Sequence, residues 1–413
     1  MNLKLKNQPP YSKGENKLDF SGRFFPEQIK LGLENTIAIN FELTEKCNLK
    51  CDYCAYGDMY NNYGIRQERD LDLSLAFNLL DYMHGLMNIS SKLNKNKPVY
   101  IGFYGGEPSL KMDKIKEIVN YIESKWSNEY AVIFSMTTNG LLLKQNITYF
   151  NQKGFELLIS IDGNKENNSY RKLKSGGDSY PALYNNLKFV QKYYPLYFDT
   201  NINFNSVIHD KNNPTEVTDF LLREFGKKPT CSPLSQSGVE ECWSEEFKKM
   251  QNNNADISKH DLYKFIRNST DGIHKNYIDL FYPHWTKRQL IPTAMCIPFS
   301  RRIHLCADGT ILPCEKIGKE LSFGKVDKES VKLNFVELTN TINLLLNKAE
   351  SMCENCSNNM KCSKCLFQFV KDGQLKLCPD FTTENDEYFN NVLKLFSKDH
   401  KLFKTLVEEY NEL

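Results

Sequence analysis

Cys47-Asn48-Leu49-Lys50-Cys51-Asp52-Tyr53-Cys54 carries three thiols in a C-x3-C-x2-C array, directly after the apolar stretch Ile37-Ala38-Ile39-Asn40-Phe41. The next cysteine is Cys231, so no fourth thiol lies nearby in the chain. Three thiolates can hold three irons of a cubane iron–sulfur cluster and leave the fourth iron open. An open metal position is where a small molecule can bind and be reductively cleaved. Zinc also takes clustered cysteines, so the array by itself admits a zinc site as well.

The totals narrow the choice. The chain has 413 residues, enough for two domains or one large barrel with an appendage. It is 40% hydrophobic and 25% charged, ordinary for a soluble globular protein. A net charge of +2 provides no strong field for nucleic acid or an acidic membrane surface. No apolar run approaches a membrane span, and Met1-Asn2-Leu3-Lys4-Leu5-Lys6 lacks the apolar core of a signal peptide. Thirteen cysteines in a chain read as cytoplasmic argue for metal rather than disulfides. Three belong to the first array, eight run from Cys296 to Cys378, and Cys231 and Cys242 remain. Eight thiols would fill two further four-cysteine sites.

Along the chain, strand and helix signals alternate. Strands are expected at about 36–43, 98–103, 131–136, 155–161, 198–207 and 228–232. Asp72 is placed to cap a helix with the stripe Ala76, Leu79, Leu80 and Met83, and another follows with Ile115, Ile118, Val119 and Ile122. A helix from Pro214 to Phe225 has Gly226 as its stop. This alternation predicts an α/β fold with a parallel sheet. The motif-bearing segments fall just after strands, where active sites of such barrels lie. Residues 1–35 are polar, contain Pro9-Pro10, and read as an N-terminal arm. Residues 236–290 read as a helical connector, and 383–413 as a C-terminal helix whose Phe389, Val392, Leu393 and Phe396 pack on the core. Between them, Asp308-Gly309 predicts a hairpin that brings Cys306 and Cys314 close.

The cysteine array, with an aromatic residue before its last thiol, and Tyr104-Gly105-Gly106-Glu107-Pro108 together resemble the radical S-adenosylmethionine (SAM) enzymes. The resemblance implies a partial (β/α)6 barrel over 36–235, and a 4Fe-4S cluster on Cys47, Cys51 and Cys54 whose open iron is chelated by SAM. One electron then cleaves the sulfonium and releases a 5′-deoxyadenosyl radical. The later field, Gly309-x4-Cys314 and Cys353-x2-Cys356-x5-Cys362-x2-Cys365 with Cys378 beyond, resembles the SPASM extension over 291–382. It departs from that pattern in having two residues, not three, between Cys362 and Cys365. The resemblance implies one auxiliary cluster on Cys353, Cys356, Cys362 and Cys378. It implies another on Cys296, Cys314 and Cys365, with Cys306 as its fourth ligand, making three 4Fe-4S clusters in all.

It also assigns roles near SAM. Tyr53 packs by the adenine. Gly105 and Gly106 let the backbone approach a ligand closely, and Glu107 accepts from the SAM ammonium. Asn139, Ser160 and Asp162 line the ribose, while Arg171 pairs the SAM carboxylate. Glu315, directly after Cys314, corresponds to the proposed base of sulfatase-maturing enzymes. More narrowly, the sequence around Phe41–Cys54, together with Cys296-Ile297-Pro298-Phe299-Ser300 and Ile311-Leu312-Pro313-Cys314-Glu315, resembles a Bacteroidales-type group of peptide maturases associated with double-glycine leader peptides. The expected partners are a precursor peptide with its leader and a flavodoxin- or ferredoxin-type electron donor. The arm is too short for a leader-binding domain of the kind such relatives often carry. Two other readings stand beside this one: maturation of a folded protein, as in formylglycine formation, and a zinc-binding interaction protein without redox chemistry.

Overall fold

The structure is a computed structural model. It describes residues 20–89, 98–126, 129–235, 238–251, 291–293, 295–356, 364–371, 374–378, 381 and 383. Cys362, most of the expected arm, most of the connector and nearly all of the C-terminal helix lie outside the described residues.

The first half alternates strands β1 (Ala38–Glu42), β2 (Leu49–Cys51), β3 (Val99–Tyr104), β4 (Val132–Thr138), β5 (Glu156–Ser160), β6 (Arg171–Leu173), β7 (Ile202–Ile208) and β8 (Thr230–Pro233) with helices. The helices are α1 (Pro26–Glu34), α2 (Leu73–Ile89), α3 (Met112–Lys125), α4 (Leu143–Lys153), α5 (Tyr180–Tyr193), α6 (Pro195–Asn201) and α7 (Pro214–Phe225). Strands β1, β3, β4, β5, β7 and β8 lie side by side in chain order, each neighbouring pair parallel. Parallel strands taken in order by right-handed crossovers put their helices on one face of the sheet. The residues agree with this. Ile39, Phe41, Ile101 and Phe103 are fully buried in one core with Leu79, Leu80 and Met83 of α2 and Ile115, Ile118 and Val119 of α3. The alternate positions of β1, Asn40 and Glu42, are buried and polar, and point to the other face.

The strand after α5 starts later than the sequence pattern predicts. Residues 195–201 form the short helix α6 and the strand begins at Ile202. Pro195 supplies a helical φ at the first turn. Phe198, which reads as the start of a strand, is buried from the helix instead, together with Tyr197. The helix ending at Phe225 follows its signals. Asn213 Oδ1 accepts from Glu216 N at 2.9 Å, and Gly226 takes φ 69°.

The cysteine-rich part builds a separate two-stranded antiparallel ribbon, Val370–Lys371 with Gln374–Leu375, but most of its strands join the main sheet. Its strands β9 (Ile303–Leu305), β10 (Thr310–Leu312), β11 (Gly324–Val326) and β12 (Val331–Leu333) continue the main one. β9 pairs in parallel with β1, and β10, β11 and β12 follow antiparallel, giving ten strands in all. Beyond α8 (Ser244–Met250), helix α9 (Phe335–Glu354) returns to the N-terminal region. Its Glu350 pairs with Arg23, and its Asn343 exchanges two 2.9 Å bonds with the Phe24 backbone. Among the described residues no helix is long and apolar enough to cross a membrane.

Candidate active site

The three-thiol loop leaves the carboxyl end of β1 and is pinned from two sides. On one side, β2 pairs antiparallel with β6, setting Cys51 opposite Arg171. On the other, the turn after β3 lies against the segment leading to Cys47. Gly106 N donates to Thr44 O at 2.8 Å and Glu107 N to Lys46 O at 2.9 Å. Gly105 takes φ 140°, and a Cβ there would stand 2.4 Å from Thr44 O. A Cβ on Gly106 would stand 2.2 Å from Lys46 O. Both glycines approach the chain's own backbone, and their absent side chains let the turn seat the loop.

The thiols form one electrostatic unit. Burial pushes Cys47 up to about 11 and Cys51 up to about 12, and raises Cys54 as well. Cys47 and Cys51 each feel the negative charge of Cys54 as a further upward push. Left alone, such thiols stay protonated at neutral pH. A cationic metal group offsets the burial cost and takes them as thiolates. Donors already face the sulfur. Leu49 N lies 3.3 Å from Cys47 Sγ, and Asn139 Nδ2 lies 3.9 Å from it. The donor set therefore fits a thiolate-held iron–sulfur cluster.

The residues expected around SAM fall into two groups. Glu107, Asn139 and Ser160 stay at the strand ends beside the loop. Glu107 is buried; its Oε1 accepts from Ser109 N at 3.0 Å, Ser109 Oγ at 2.6 Å and Thr138 Oγ1 at 2.7 Å. Its Oε2 accepts from Asn139 N at 2.8 Å, which ties β3 to β4. Asn139 Nδ2 also donates to Asn48 Oδ1 at 2.7 Å. Ser160 is half-buried at the end of β5.

Tyr53, Asp162 and Arg171 are instead turned on one another behind the loop. Asp162 is fully buried and accepts from the Tyr53 hydroxyl, from Arg171 Nε at 3.0 Å and from Val207 N at 2.9 Å. The His209 ring stacks on Tyr53 at 5.8 Å. The Arg171 charge eases the ionisation of Cys51 and Cys54. Asp162 thus spends its carboxylate inside the fold rather than on an open groove.

The hairpin corrects one expectation. Cys306 N donates to Thr310 O at 2.9 Å and Gly309 N to Cys306 O at 3.0 Å, with Gly309 at φ 83°. The ladder pairs Leu305 with Ile311 and His304 with Leu312. Cys306 therefore faces Thr310, and Cys314 continues toward Arg302, away from Cys306. The two thiols are not brought together across the hairpin. Cys306 is buried, and after burial itself the charge of Glu42 pushes its thiol further up. The Lys319 and Arg66 charges act in the opposite sense, so it is the register of the hairpin that separates Cys306 from Cys314.

Cys314 and Glu315 stand toward the other half of the site. Cys314 Sγ lies 3.5 Å from Glu315 Oε2, and burial pushes its thiol up to about 12. Burial would also raise Glu315. The Arg302 guanidinium, 2.6 Å from its Oε1, outweighs that and holds the carboxyl below its usual value. Tyr63 OH donates to Glu315 O at 2.8 Å, joining the segment after Cys54 to the hairpin. Further on, Cys353, Cys356 and Cys378 line one cavity of about 30 Å³ with Phe20, Phe369 and Phe381. Cys365 is half-buried at the start of a short 3-10 helix, and Cys296 is exposed.

Sequence reasoning missed the polar face of the sheet. Glu42 is buried, accepts from Ala307 N at 2.9 Å and pairs with Arg66. Tyr104 lies edge-on to His304 at 6.2 Å, and the Arg66 guanidinium covers the Tyr56 ring at 4.3 Å. The signal was the alternation Ile39-Asn40-Phe41-Glu42, in which every second residue of an apolar strand is polar.

A parallel α/β sheet with a three-thiol loop at the end of its first strand and a Gly-Gly-Glu turn at the end of the next defines a class. The family model described as the radical SAM superfamily matches residues 41–222, and the chain belongs to that superfamily. Among individual relatives, it is 30% identical over 221 residues to "Uncharacterized protein MJ0907" of Methanocaldococcus jannaschii, covering 51% of this chain and 68% of that protein. It is 23% identical over 344 residues to a cysteine-type anaerobic sulfatase-maturating enzyme of Clostridium novyi, covering 76% of this chain and 83% of that enzyme. Its fold matches the solved structure of native anSMEcpe with bound AdoMet and Cp18Cys peptide. The TM-score is 0.57 at 16% identity, over 91% of this chain and 99% of that one.

Proposed function

We propose that this protein is a cytoplasmic radical SAM maturase that modifies a ribosomally made precursor peptide. The observation that carries this reading is the junction of two cysteine-bearing segments: Tyr63, from the stretch after Cys54, donates to the carbonyl of Glu315, next to Cys314. A substrate lying there would have the cleavage site on one side and a second thiol site on the other. The solved neighbour carries both AdoMet and a peptide, which supports the same reading.

Cys47, Cys51 and Cys54 would hold the SAM-binding cluster. When bound, that cluster supplies an electron to SAM, generating the deoxyadenosyl radical that takes a substrate hydrogen. Asn139 and Glu107 would border the SAM methionyl group and Ser160 the ribose, with the Arg171 charge set behind Cys51. Cys353, Cys356 and Cys378, gathered on one cavity, would be joined by Cys362 around one auxiliary cluster. Cys296, Cys314 and Cys365 would hold the other, and Cys306 is left out of the set. Glu315, ionised beside Cys314, would accept the proton released as the substrate radical is oxidised. A flavodoxin- or ferredoxin-type protein would deliver electrons.

Reconstitution under argon with iron and sulfide tests this. With SAM and dithionite, the protein should release 5′-deoxyadenosine. With the short peptide encoded beside its gene, mass analysis should show loss of a hydrogen pair for cross-linking, or solvent deuterium at unchanged mass for epimerisation. Uptake of zinc alone would overturn the reading. A second reading is favoured by the extent of the match to the sulfatase-maturating enzyme. Conversion of a sulfatase cysteine peptide to the formylglycine product would establish it.

A further inference from the structure

Between the three-thiol loop and the hairpin, charged groups pair off. Arg66 Nη1 meets Glu42 Oε1 at 2.5 Å, Arg69 meets Glu45 at 3.1 Å, Lys319 meets Asp308 at 2.8 Å, and Arg302 meets Glu315 at 2.6 Å. Against this order, Arg66 Nε, Arg66 Nη2 and His304 Nδ1 are shut off from solvent with no hydrogen-bond partner among the described residues. Buried polar atoms in native proteins are nearly always paired, so each exception calls for an explanation.

The Arg66 pattern is specific. Nε and Nη2 make up one edge of the planar guanidinium, the edge that offers two parallel N–H groups to one acceptor pair. Nη1 is already held by Glu42, whose other oxygen is fixed by Ala307 N at 2.9 Å. The Tyr56 ring covers one face at 4.3 Å. The guanidinium is therefore oriented by the fold, and its two-pronged edge is what remains. His304 is 2% exposed and stands on β9 opposite Asn40, with the Tyr104 ring against it. Arg66 and His304 both feel the Glu42 charge, and Arg66 also acts on Cys54 and Cys306. The open Arg66 donors thus lie between the thiol loop and the hairpin, and His304 adds a donor there in its Nδ1–H tautomer.

We propose that Arg66 and His304 form a carboxylate-binding subsite that positions the substrate. The proposal rests on the peptide-maturase reading. The carboxylate would be an acidic side chain of the peptide or its C-terminus, the two sources of that group in a peptide. A carboxylate supplies two oxygens in one plane to the Nε–Nη2 edge, whereas a carboxamide supplies one.

The test is calorimetric binding of small probes to the cluster-loaded protein with SAM, under argon. The probes are N-acetyl-aspartate N-methylamide, its asparagine counterpart and N-acetylglycine. The aspartyl probe or N-acetylglycine should bind at least about tenfold more tightly than the asparaginyl probe, because the latter leaves an N–H unpaired. Whichever of the two binds identifies the source. Arg66→Lys keeps the charge facing Glu42 but removes the fork, and should erase the preference while the melting temperature stays near that of the parent. Equal binding of the aspartyl and asparaginyl probes together with no N-acetylglycine binding, or a preference that survives in Arg66→Lys, overturns the subsite. Deoxyadenosine release is followed on the same sample. Its absence refutes the radical reading, independently of the binding result.

Discussion

Glu315 and Asp162 are both buried carboxylates held ionised by an arginine, yet they answer different tests. Glu315 touches Cys314 and faces the hairpin side of the site, so it is expected to act in the late, proton-accepting half of a reaction. Glu315→Gln should keep SAM cleavage and reduce product formation by roughly a hundredfold or more. Unchanged product formation would remove Glu315 from the chemistry. Asp162 supports the loop from behind. Burial alone would lift its carboxyl, but the Arg171 charge, with His209 and Tyr53 around it, holds it below its usual value. A carboxyl held low in the fold contributes stability that is fully present above its unfolded pKa of about 3.9 and is lost as pH falls through the lower folded value. Asp162→Asn leaves Arg171 a buried cation without its counter-charge, which costs about 3–5 kcal/mol at neutral pH. In denaturant titrations the gap between parent and variant should therefore stay level down to about pH 4 and close below it. A gap independent of pH would show that charge is not what Asp162 contributes.

At the scale of elements, the glycine turn after β3 makes the strongest claim. Gly105→Ala combines a φ of 140° with a Cβ 2.4 Å from the Thr44 carbonyl, so the segment before Cys47 must shift. The strain is roughly 2 kcal/mol, and the expected result is a folded protein that retains little iron after reconstitution. Gly154→Ala is the control. Its φ is 63° but the space around it is open, so it should cost about 1 kcal/mol and leave iron content unchanged. Equal iron in both variants would mean that the turn does not set the loop. This element was legible as a motif in the sequence, but its physical role was not, because the backbone it touches is distant in the chain. The six parallel strands and the Asn213-to-Gly226 helix were legible from local periodicity and caps. Two local signals misled. Pro195 starts a helix where apolar residues read as a strand. Asp308-Gly309 does make a turn, but its register pairs Cys306 with Thr310 rather than bringing it to Cys314.

Across the whole molecule, the cysteine-rich region looks separable in sequence, since composition changes sharply near residue 290. The pairing of β9 with β1 joins what composition divides. Strand pairing across hundreds of residues leaves no trace in local periodicity, so no sequence pattern announces it. The consequence is energetic. β1 has β3 on one side and β9 on the other, and Ile303 and Leu305 of β9 are fully buried. A chain ended at residue 250 would lose β9 and expose the backbone edge of β1, beside the apolar residues that β9 covers. Open edges of that kind pair with other chains. Chains truncated there should therefore aggregate even with the thiol loop intact, whereas the full chain should unfold in one cooperative transition by calorimetry. Light scattering decides between the outcomes. A monodisperse, folded 1–250 fragment would mean that the first sheet stands alone, and that β9 serves to bring Cys314 and Glu315 to the site rather than to hold the fold together.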